Sequence, residues 1–307
     1  MAAPERPRLL VVGRSGQLAR SLAEVAPGEP VELVLAGRPE IDLLDFAGVA
    51  RALADLRPSL VVNAAAYTDV DGAEDAPELA QALNALAPGR LAAAAAEAGA
   101  RLIHVSTDYV FGGADPAGRA RRPDDPTGPA SVYGRTKLAG EAAVRAVAGG
   151  HVILRTAWLY SPFGRNFVKT MLDLARRQDQ VRVVSDQVGS PTSALDFARA
   201  ILRLGEVWRR DPAAGAGRTF HYAGAGSASW ADFAREIFAQ SRAKGGPWAE
   251  VVPIGSAEWP ARAPRPADSR LDSEDFAATF GLGPRPWPEG LAEVVERLLS
   301  RVAACPD

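Results

Sequence analysis

A tyrosine and a lysine four residues apart, Tyr133 and Lys137, stand in the run SVYGRTKLAGE at residues 131–141. The run has helical character, and four residues is close to one turn, so both side chains leave the same face. A free phenol titrates near pH ~10 and gives up its proton poorly at neutrality. A neighbouring ammonium favours the phenolate and lowers that pKa, which makes the pair a candidate acid for a substrate oxygen. The bland alternative is a surface helix that carries a Tyr and a Lys incidentally. Upstream, HVSTDYVFGG puts Ser106 and Thr107 where a strand-like run ends. Of the two, Thr107 is our choice to hydrogen-bond and polarise a carbonyl oxygen.

Such groups need a frame. Apolar runs at 8–13, 31–37, 59–66, 101–107 and 151–158 alternate with helical stretches at 17–26, 46–56, 78–99 and 131–148. Asp45 is placed to cap the second of these helices. Continuous apolar strands between helices predict an α/β fold, a Rossmann-type doubly wound parallel sheet covered on both faces. Ligands of such sheets sit at the carboxyl ends of the strands, where the candidate residues fall. After residue 158 the rhythm loosens. We expect a nucleotide-binding domain over 1–158 and 181–222, with 181–220 returning to the main sheet. A smaller C-terminal substrate-binding domain is expected over 159–180 and 223–307.

The first strand and helix are joined by VVGRSGQLAR, with Gly13, Gly16 and Ala19 at three-residue spacing. Glycine permits a tight turn and close approach of backbone N–H groups to a pyrophosphate, and the helix N-terminus favours the anion. The pattern predicts a dinucleotide site; a turn that serves packing alone is the alternative. The second strand ends in Ala36-Gly37-Arg38 rather than in a carboxylate, so Arg38 can attract a ribose 2′-phosphate. This favours NADPH, with NADH as the second candidate. Asp42 and Leu43 are placed for the adenine, although Asp42 also suits a turn. A nicotinamide cofactor would deliver hydride to a carbonyl carbon, and the oxygen would then take its proton from Tyr133. Lys137 would tune the phenol and hold the nicotinamide ribose.

The bulk composition excludes other classes. The chain has 307 residues, 47% hydrophobic and 23% charged, with a net charge of −2. That balance gives no electrostatic case for nucleic acid. The pairs Arg121–Arg122 and Arg209–Arg210 look like solvated charges. No apolar run reaches membrane-spanning length, and the N-terminus lacks the pattern of a signal peptide. The single cysteine, Cys305, cannot form an internal disulfide, so a cytoplasmic location is expected. His104, His151 and His221 suit core or surface positions, and no cluster reads as a metal site.

The segments GQL (16–18), VVNAAAYTDVDGAED (61–75), STDYVF (106–111), VYGRTKLAGE (132–141), RTAWLY (155–160), VSDQVGSPT (184–192) and RPADSRL (265–271) recur in order along the chain. Together they resemble the extended short-chain dehydrogenase/reductase superfamily, and within it the dTDP-4-dehydrorhamnose reductase family. The resemblance implies NADPH-dependent reduction of the 4-keto group of dTDP-4-dehydro-β-L-rhamnose to dTDP-β-L-rhamnose. It implies catalytic roles for Thr107, Tyr133 and Lys137. It implies that Gly13, Gly16, Gln17, Leu18, Ala64, Ala65, Ala66 and Tyr67 line the cofactor. Val70, Thr107, Asp108 and Trp158 would lie near the dTDP-sugar. Trp158 ends the fifth strand, where an indole face suits a deoxysugar or, equally, packing between domains. Asn166, Asp186, Gln187 and Arg265 are further polar candidates, with Arg265 suited to a diphosphate.

There are departures from the family pattern. Tyr67 stands where some relatives carry histidine, and Arg165 where relatives often carry a small or amide residue. Some members bridge a dimer through Mg²⁺ held by glutamates, and one such position is Ser21 here, so Mg²⁺ is not supported by the sequence. A monomer or a homodimer both remain open. Other readings also stay open: another nucleotide-sugar ketoreductase, an epimerase or dehydratase relative, or a non-catalytic regulatory subunit of the methionine adenosyltransferase type. Arg38 argues against the epimerase's tightly held NAD⁺. The presence of Thr107, Tyr133 and Lys137 argues against a regulator.

Overall fold

The computed structural model describes residues 6–113, 118–147, 149–259 and 261–303; Cys305 lies outside them. The main sheet has six parallel strands: β1 (Arg8–Val12), β2 (Glu32–Ala36), β3 (Leu60–Asn63), β4 (Arg101–Thr107), β5 (His151–Thr156) and β6 (Thr219–His221). Their spatial order is β6-β5-β4-β3-β1-β2. The order reverses between β1 and β3, which puts a crevice above their carboxyl ends.

Strand β1 shows how the layers form. Side chains alternate across a strand. Leu9 and Val11 therefore join one core with Leu18, Leu22, Phe197, Ile201 and Phe220. Leu10 and Val12 join the other, with Ile41, Val49, Leu53 and Leu91. All four β1 side chains are buried. Each such burial stabilises by roughly 1.5–3 kcal/mol. The helix Gln17–Val25 and the helix Ala194–Arg210 cover the first face. The helices Phe46–Leu56 and Ala87–Glu97 pack on the second. Asp45 caps the helix Phe46–Leu56 as expected, its side chain accepting from Gly48 N.

The helix Val132–Arg145 bears Tyr133 and Lys137. It lies close against a π-helical turn, Ala82–Leu86, in the otherwise α-helical stretch 77–97. A Cβ on Gly140 would fall 2.0 Å from the Asn84 carbonyl oxygen. No larger residue fits there without pushing the two segments apart.

A second cluster gathers Tyr160, Phe163, Val168, Leu172, Phe233, Ile237, Leu291 and Val295. It belongs to the helices Phe167–Ala175, Trp230–Ala243 and Trp287–Ala303. The expected return of 181–220 to the main sheet needs correction. Strand Gln180–Val184 pairs in parallel with Glu250–Ile254 instead. Its alternate residues Val181 and Val183 bury into the second cluster. Only Ala194–Arg210 and Thr219–His221 rejoin the main core. The helix Glu274–Phe280, expected on the substrate side, also returns there, stacking Phe276 and Phe280 against Phe220. Among the described residues no helix is long and apolar enough to cross a membrane.

Candidate active site

The turn after β1 is built for close approach. Gly13 has φ +114°, and a Cβ there would meet Ala65 N at 3.0 Å, across the crevice from β3. The following helix starts at Gln17 with Gly16 as a cap that offers no side-chain bond. Its first N–H groups are thus left to other acceptors, and its dipole favours an anion. By contrast, side chains cap the helices that begin after Asp45, Asp69, Ser131 and Asn166. Gly13, Gly16 and Ala64–Tyr67 therefore fit a pyrophosphate-bearing cofactor. Arg38 is exposed just beyond β2. Arg14 stands beside it, a residue the sequence reading passed over. It packs on Gly37 and pairs with both Glu40 carboxylate oxygens at 2.7 Å.

Other expected cofactor residues have structural duties. Leu18 and Leu43 are buried, one in each face's core. Asp42 takes its turn role, Oδ1 accepting from Leu44 N at 3.0 Å. The Gln17 side chain is engaged by the protein itself: its Oε1 accepts from Ser161 Oγ at 2.9 Å and Asn166 Nδ2 at 3.0 Å. Tyr67 is held by Asn84, whose side chain accepts from Tyr67 N and donates to Tyr67 O and to Thr136 Oγ1. Asn84 was missed in the sequence. Its signal was an amide in the middle of an apolar helix.

Thr107, Tyr133 and Lys137 meet at the carboxyl end of β4. Ser131 caps the Tyr–Lys helix by accepting from Gly134 N, and Glu74 accepts from Val132 N at 2.8 Å. The Tyr133 ring packs edge-on against Tyr109, with centroids 5.4 Å apart. The Thr107 hydroxyl lies beside the phenol. Lys137 Nζ donates to the Val105 carbonyl at 2.7 Å. Burial lowers the ammonium's pKa to about 8, with Glu141 opposing. The phenol differs from expectation. Desolvation pushes its pKa above the ordinary tyrosine value; Thr107 pulls it down, and Asp108 and Tyr109 push it further up. The expected lowering by Lys137 is thus not what governs the phenol in this structure, where the ammonium is engaged by a backbone carbonyl.

Behind the helix lies a buried ion pair. Arg155 grips Glu141 through Nε at 2.8 Å and a terminal nitrogen at 2.7 Å, both residues being almost wholly buried. Another Arg155 nitrogen reaches Pro123 O and His221 Nε2. Because arginine only donates, His221 accepts there and its Nδ1–H faces Arg121 O at 3.0 Å. Burial holds His221 neutral, its pKa lowered to about 3. This network fastens the loop after β4. It also corrects the reading of Arg121 as a solvated charge: Arg121 is buried against the Phe111 ring. Arg209 and Arg210 are exposed as expected.

Next to this end of β4 opens a cavity of about 910 Å³, a size suited to a nucleotide-sugar ligand. Val70, Asp186, Gln187 and Arg265 line it, together with Arg165. Arg265 is partly committed, donating to Asp71 Oδ2 at 2.7 Å. Four expected contacts, Thr107, Asp108, Asn166 and Trp158, are not among the lining residues, the first two being buried at the end of β4 beside it. Asn166 caps the helix Phe167–Ala175 and spends its amide on Gln17, Ser161 and Phe163. Trp158, at φ 45°, stacks face to face on Trp230 with centroids 3.5 Å apart. Trp230, with Tyr109, Phe167 and Trp259, supplies the cavity's aromatic wall. Sequence reasoning missed these because a lone aromatic carries no spacing signal. Among the described residues no cluster of His, Cys, Asp or Glu could hold a metal ion.

A doubly wound sheet with a glycine phosphate turn and a Thr–Tyr–Lys cluster defines a Rossmann-fold oxidoreductase of the short-chain dehydrogenase/reductase type. Residues 7–300 match the family model described as the RmlD substrate binding domain, and the chain belongs to that family. It is 44% identical over 292 residues to a dTDP-4-dehydrorhamnose reductase of Sinorhizobium fredii, covering 95% of this chain and 98% of that protein. A crystal structure of the Clostridium acetobutylicum dTDP-4-dehydrorhamnose reductase superposes with TM-score 0.87 at 38% identity, covering 95% of this chain and 99% of that one. The Bacillus anthracis dTDP-4-dehydrorhamnose reductase, solved in complex with NADP, gives 0.88 at 32% identity, covering 95% and 100%.

Proposed function

We propose that this protein reduces the 4-keto group of dTDP-4-dehydro-β-L-rhamnose with NADPH, giving dTDP-β-L-rhamnose. The observation that carries the reading is the convergence of Thr107, Tyr133 and Lys137 on one strand end, between a phosphate-binding turn and a nucleotide-sized cavity. The named activity of relatives at 44% identity supports the substrate.

Gly13, Gly16 and the start of the helix Gln17–Val25 would hold the pyrophosphate, and Arg38 with Arg14 the 2′-phosphate. NADPH, when bound, supplies the hydride. Tyr133 Oη gives its proton to the oxygen that was the ketone. A phenol with a raised pKa holds its proton until a strongly basic alkoxide develops, which suits a donor. Lys137 adds positive charge beside the forming phenolate once cofactor and sugar displace water. Thr107 hydrogen-bonds the same oxygen and orients the carbonyl. Trp230 and Phe167 exclude water from one wall of the cavity. The Thr107–Asp108 pair lacks the second adjacent acid of a dehydratase.

The test is NADPH oxidation against a panel of 4-keto nucleotide sugars. The dTDP-6-deoxy-4-ketohexose should be turned over best. Tight NADPH binding with no reduction of any ketosugar would overturn the reading in favour of a regulatory subunit.

A further inference from the structure

A hydroxyl has one hydrogen to donate and two lone pairs to accept with. At Thr107 the hydrogen and one lone pair are spoken for. Oγ1 donates to Asp108 Oδ1 at 2.9 Å. It accepts from Tyr109 N at 3.2 Å. With Asp108 ionised, the carboxylate can only accept, so the Thr107 hydrogen is fixed on it. Thr107 then has nothing to offer a ketone oxygen, although the proposed reaction needs it as a donor.

We propose that Asp108 is a positioning residue that sets the direction of the Thr107 hydroxyl, so that Thr107 can donate to the substrate oxygen only when Asp108 carries a proton. The proposal rests on the reductase reading above. A neutral Asp108 donates to Thr107 Oγ1, which releases the Thr107 hydrogen. The lone pair of Oγ1 not used by Tyr109 N accepts that bond, while Tyr133 turns its own hydrogen to the ketone. Both donors then converge on one oxygen, and the carboxyl proton stays within the Asp108–Thr107 bond. No bond to the sugar is made or broken by Asp108, and no further reactant is needed.

The surroundings favour the neutral form. Asp108 is 3% exposed, and its Oδ2 is buried without a hydrogen-bond partner. Burial raises its pKa to about 6, against the pull of the Thr107 hydroxyl and the local N–H groups. The titratable neighbours are Tyr109 beside it and Tyr133 on the helix Val132–Arg145, both with pKa values raised by burial. Arg265, facing from the segment that also carries Ser269, acts on Tyr109 and is itself paired with Asp71 of the helix Val70–Asp75. None of these places an unpaired cation against the Asp108 carboxyl.

Two measurements on the full chain decide the matter. In the first, kcat/KM for the ketosugar is followed from pH 5 to 8 by initial rates. The wild type should step down as pH rises through the carboxyl's titration, reaching roughly a hundredfold by about pH 8, the lower end of the 10²–10³ that losing one oxyanion donor costs. Asp108→Asn, whose amide can donate to Thr107 at any pH, should lack that step, its kcat/KM staying level across the range whatever its absolute value. The same step in Asp108→Asn would overturn the proposal. In the second, the Asp108 side-chain carbon is titrated by NMR in the wild type, assigned by its loss in Asp108→Asn. A midpoint near 6 supports the proposal; an ordinary carboxylate midpoint near 3.9 overturns it. If the wild type reduces no ketosugar at any pH, the functional reading fails, and the NMR midpoint still decides the protonation of Asp108.

Discussion

The Gln17 amide oxygen accepts a hydrogen bond from the Asn166 amide nitrogen at 3.0 Å, joining residues 149 positions apart. Gln17 opens the helix that follows the phosphate turn; Asn166 caps the helix Phe167–Ala175, whose exposed side lines the large cavity. Ser161 adds a second donor to the same oxygen. The phosphate turn and the helix lining the cavity are thereby tied through one side chain, and with them the proposed cofactor and sugar sites. Gln17→Met removes the acceptor, at about 1 kcal/mol per lost bond. We expect the KM for the ketosugar to rise about tenfold while NADPH affinity changes less than threefold. Gln17→Glu retains the acceptor but sets a negative charge beside the phosphates, so it should restore the sugar KM and weaken NADPH instead. Titrations of each ligand alone, compared with steady-state kinetics, check both outcomes. Equal loss for both ligands in Gln17→Met would remove the tie.

Tyr133→Phe keeps the ring that packs on Tyr109 and deletes only the donor. Turnover should fall by 10²–10⁴, the usual range for a general acid, with NADPH affinity unchanged. Fluorescence titration of NADPH beside a turnover assay measures both. Retained turnover would assign the proton to another group.

Arg38→Ala should raise the KM for NADPH more than that for NADH, since only NADPH carries the 2′-phosphate. Arg14→Ala should do the same to a smaller degree, because Glu40 already neutralises Arg14. Glu40→Gln should then tighten NADPH binding by freeing that guanidinium. Selectivity ratios for the three variants test the assignment, and parallel changes for both cofactors would refute it.

The Glu141–Arg155 pair is buried, so breaking it leaves the buried Glu141 carboxylate with the half-exposed Arg145 alone. Arg155→Met should cost about 3–5 kcal/mol of unfolding free energy, read from urea denaturation. The double variant Glu141→Gln/Arg155→Met should recover part of that loss. Arg155 holds the Glu141 carboxyl below the ordinary glutamate value. The pair's stabilisation is therefore full above the unfolded carboxylate pKa and lost as pH falls through the folded one. The cost of Arg155→Met should shrink accordingly in acid.

Asp108 carries the opposite sign. Its folded pKa of about 6 lies above the ordinary aspartate value of 3.8, so between those values the folded state binds more protons than the unfolded. Stability contributed by the neutral carboxyl is present below about pH 4 and is lost as pH rises through 6, by about 3 kcal/mol at most. Asp108→Asn should therefore raise the thermal midpoint at pH 7.5 and leave it nearly unchanged at pH 4. A variant no more stable than wild type at pH 7.5 would mean that Asp108 ionises without penalty.

The frame of the molecule was legible because it rests on local signals. Strand runs such as RLLVVG, the glycine turn at 13–16 and the cap at Asp45 each depend on residues within a few positions of one another. Their spacing also located the ends of β1 and β4, and hence the neighbourhood of Thr107 and Tyr133, while β3 stops at Asn63, three residues short of the expected run. Misreadings arose where a short element had two partners to choose between. Strand 180–184 alternates valines like any half-buried strand, and nothing within it tells whether it pairs with β5 or with Glu250–Ile254. Trp158 carries no cue that Trp230, 72 positions on, would cover it.

By itself the sequence determined that this chain builds a doubly wound sheet with a phosphate turn and brings a hydroxyl, a phenol and an ammonium toward one strand end. Motif spacing and side-chain periodicity suffice for that. Only the tertiary structure decided where each hydrogen goes: the Lys137 ammonium to Val105 O, the Thr107 hydroxyl to Asp108, the Asn166 amide to Gln17. Hydrogen-bond direction depends on distances of a few tenths of an ångström between groups and on which of them burial keeps neutral. Those quantities arise only when distant segments pack together.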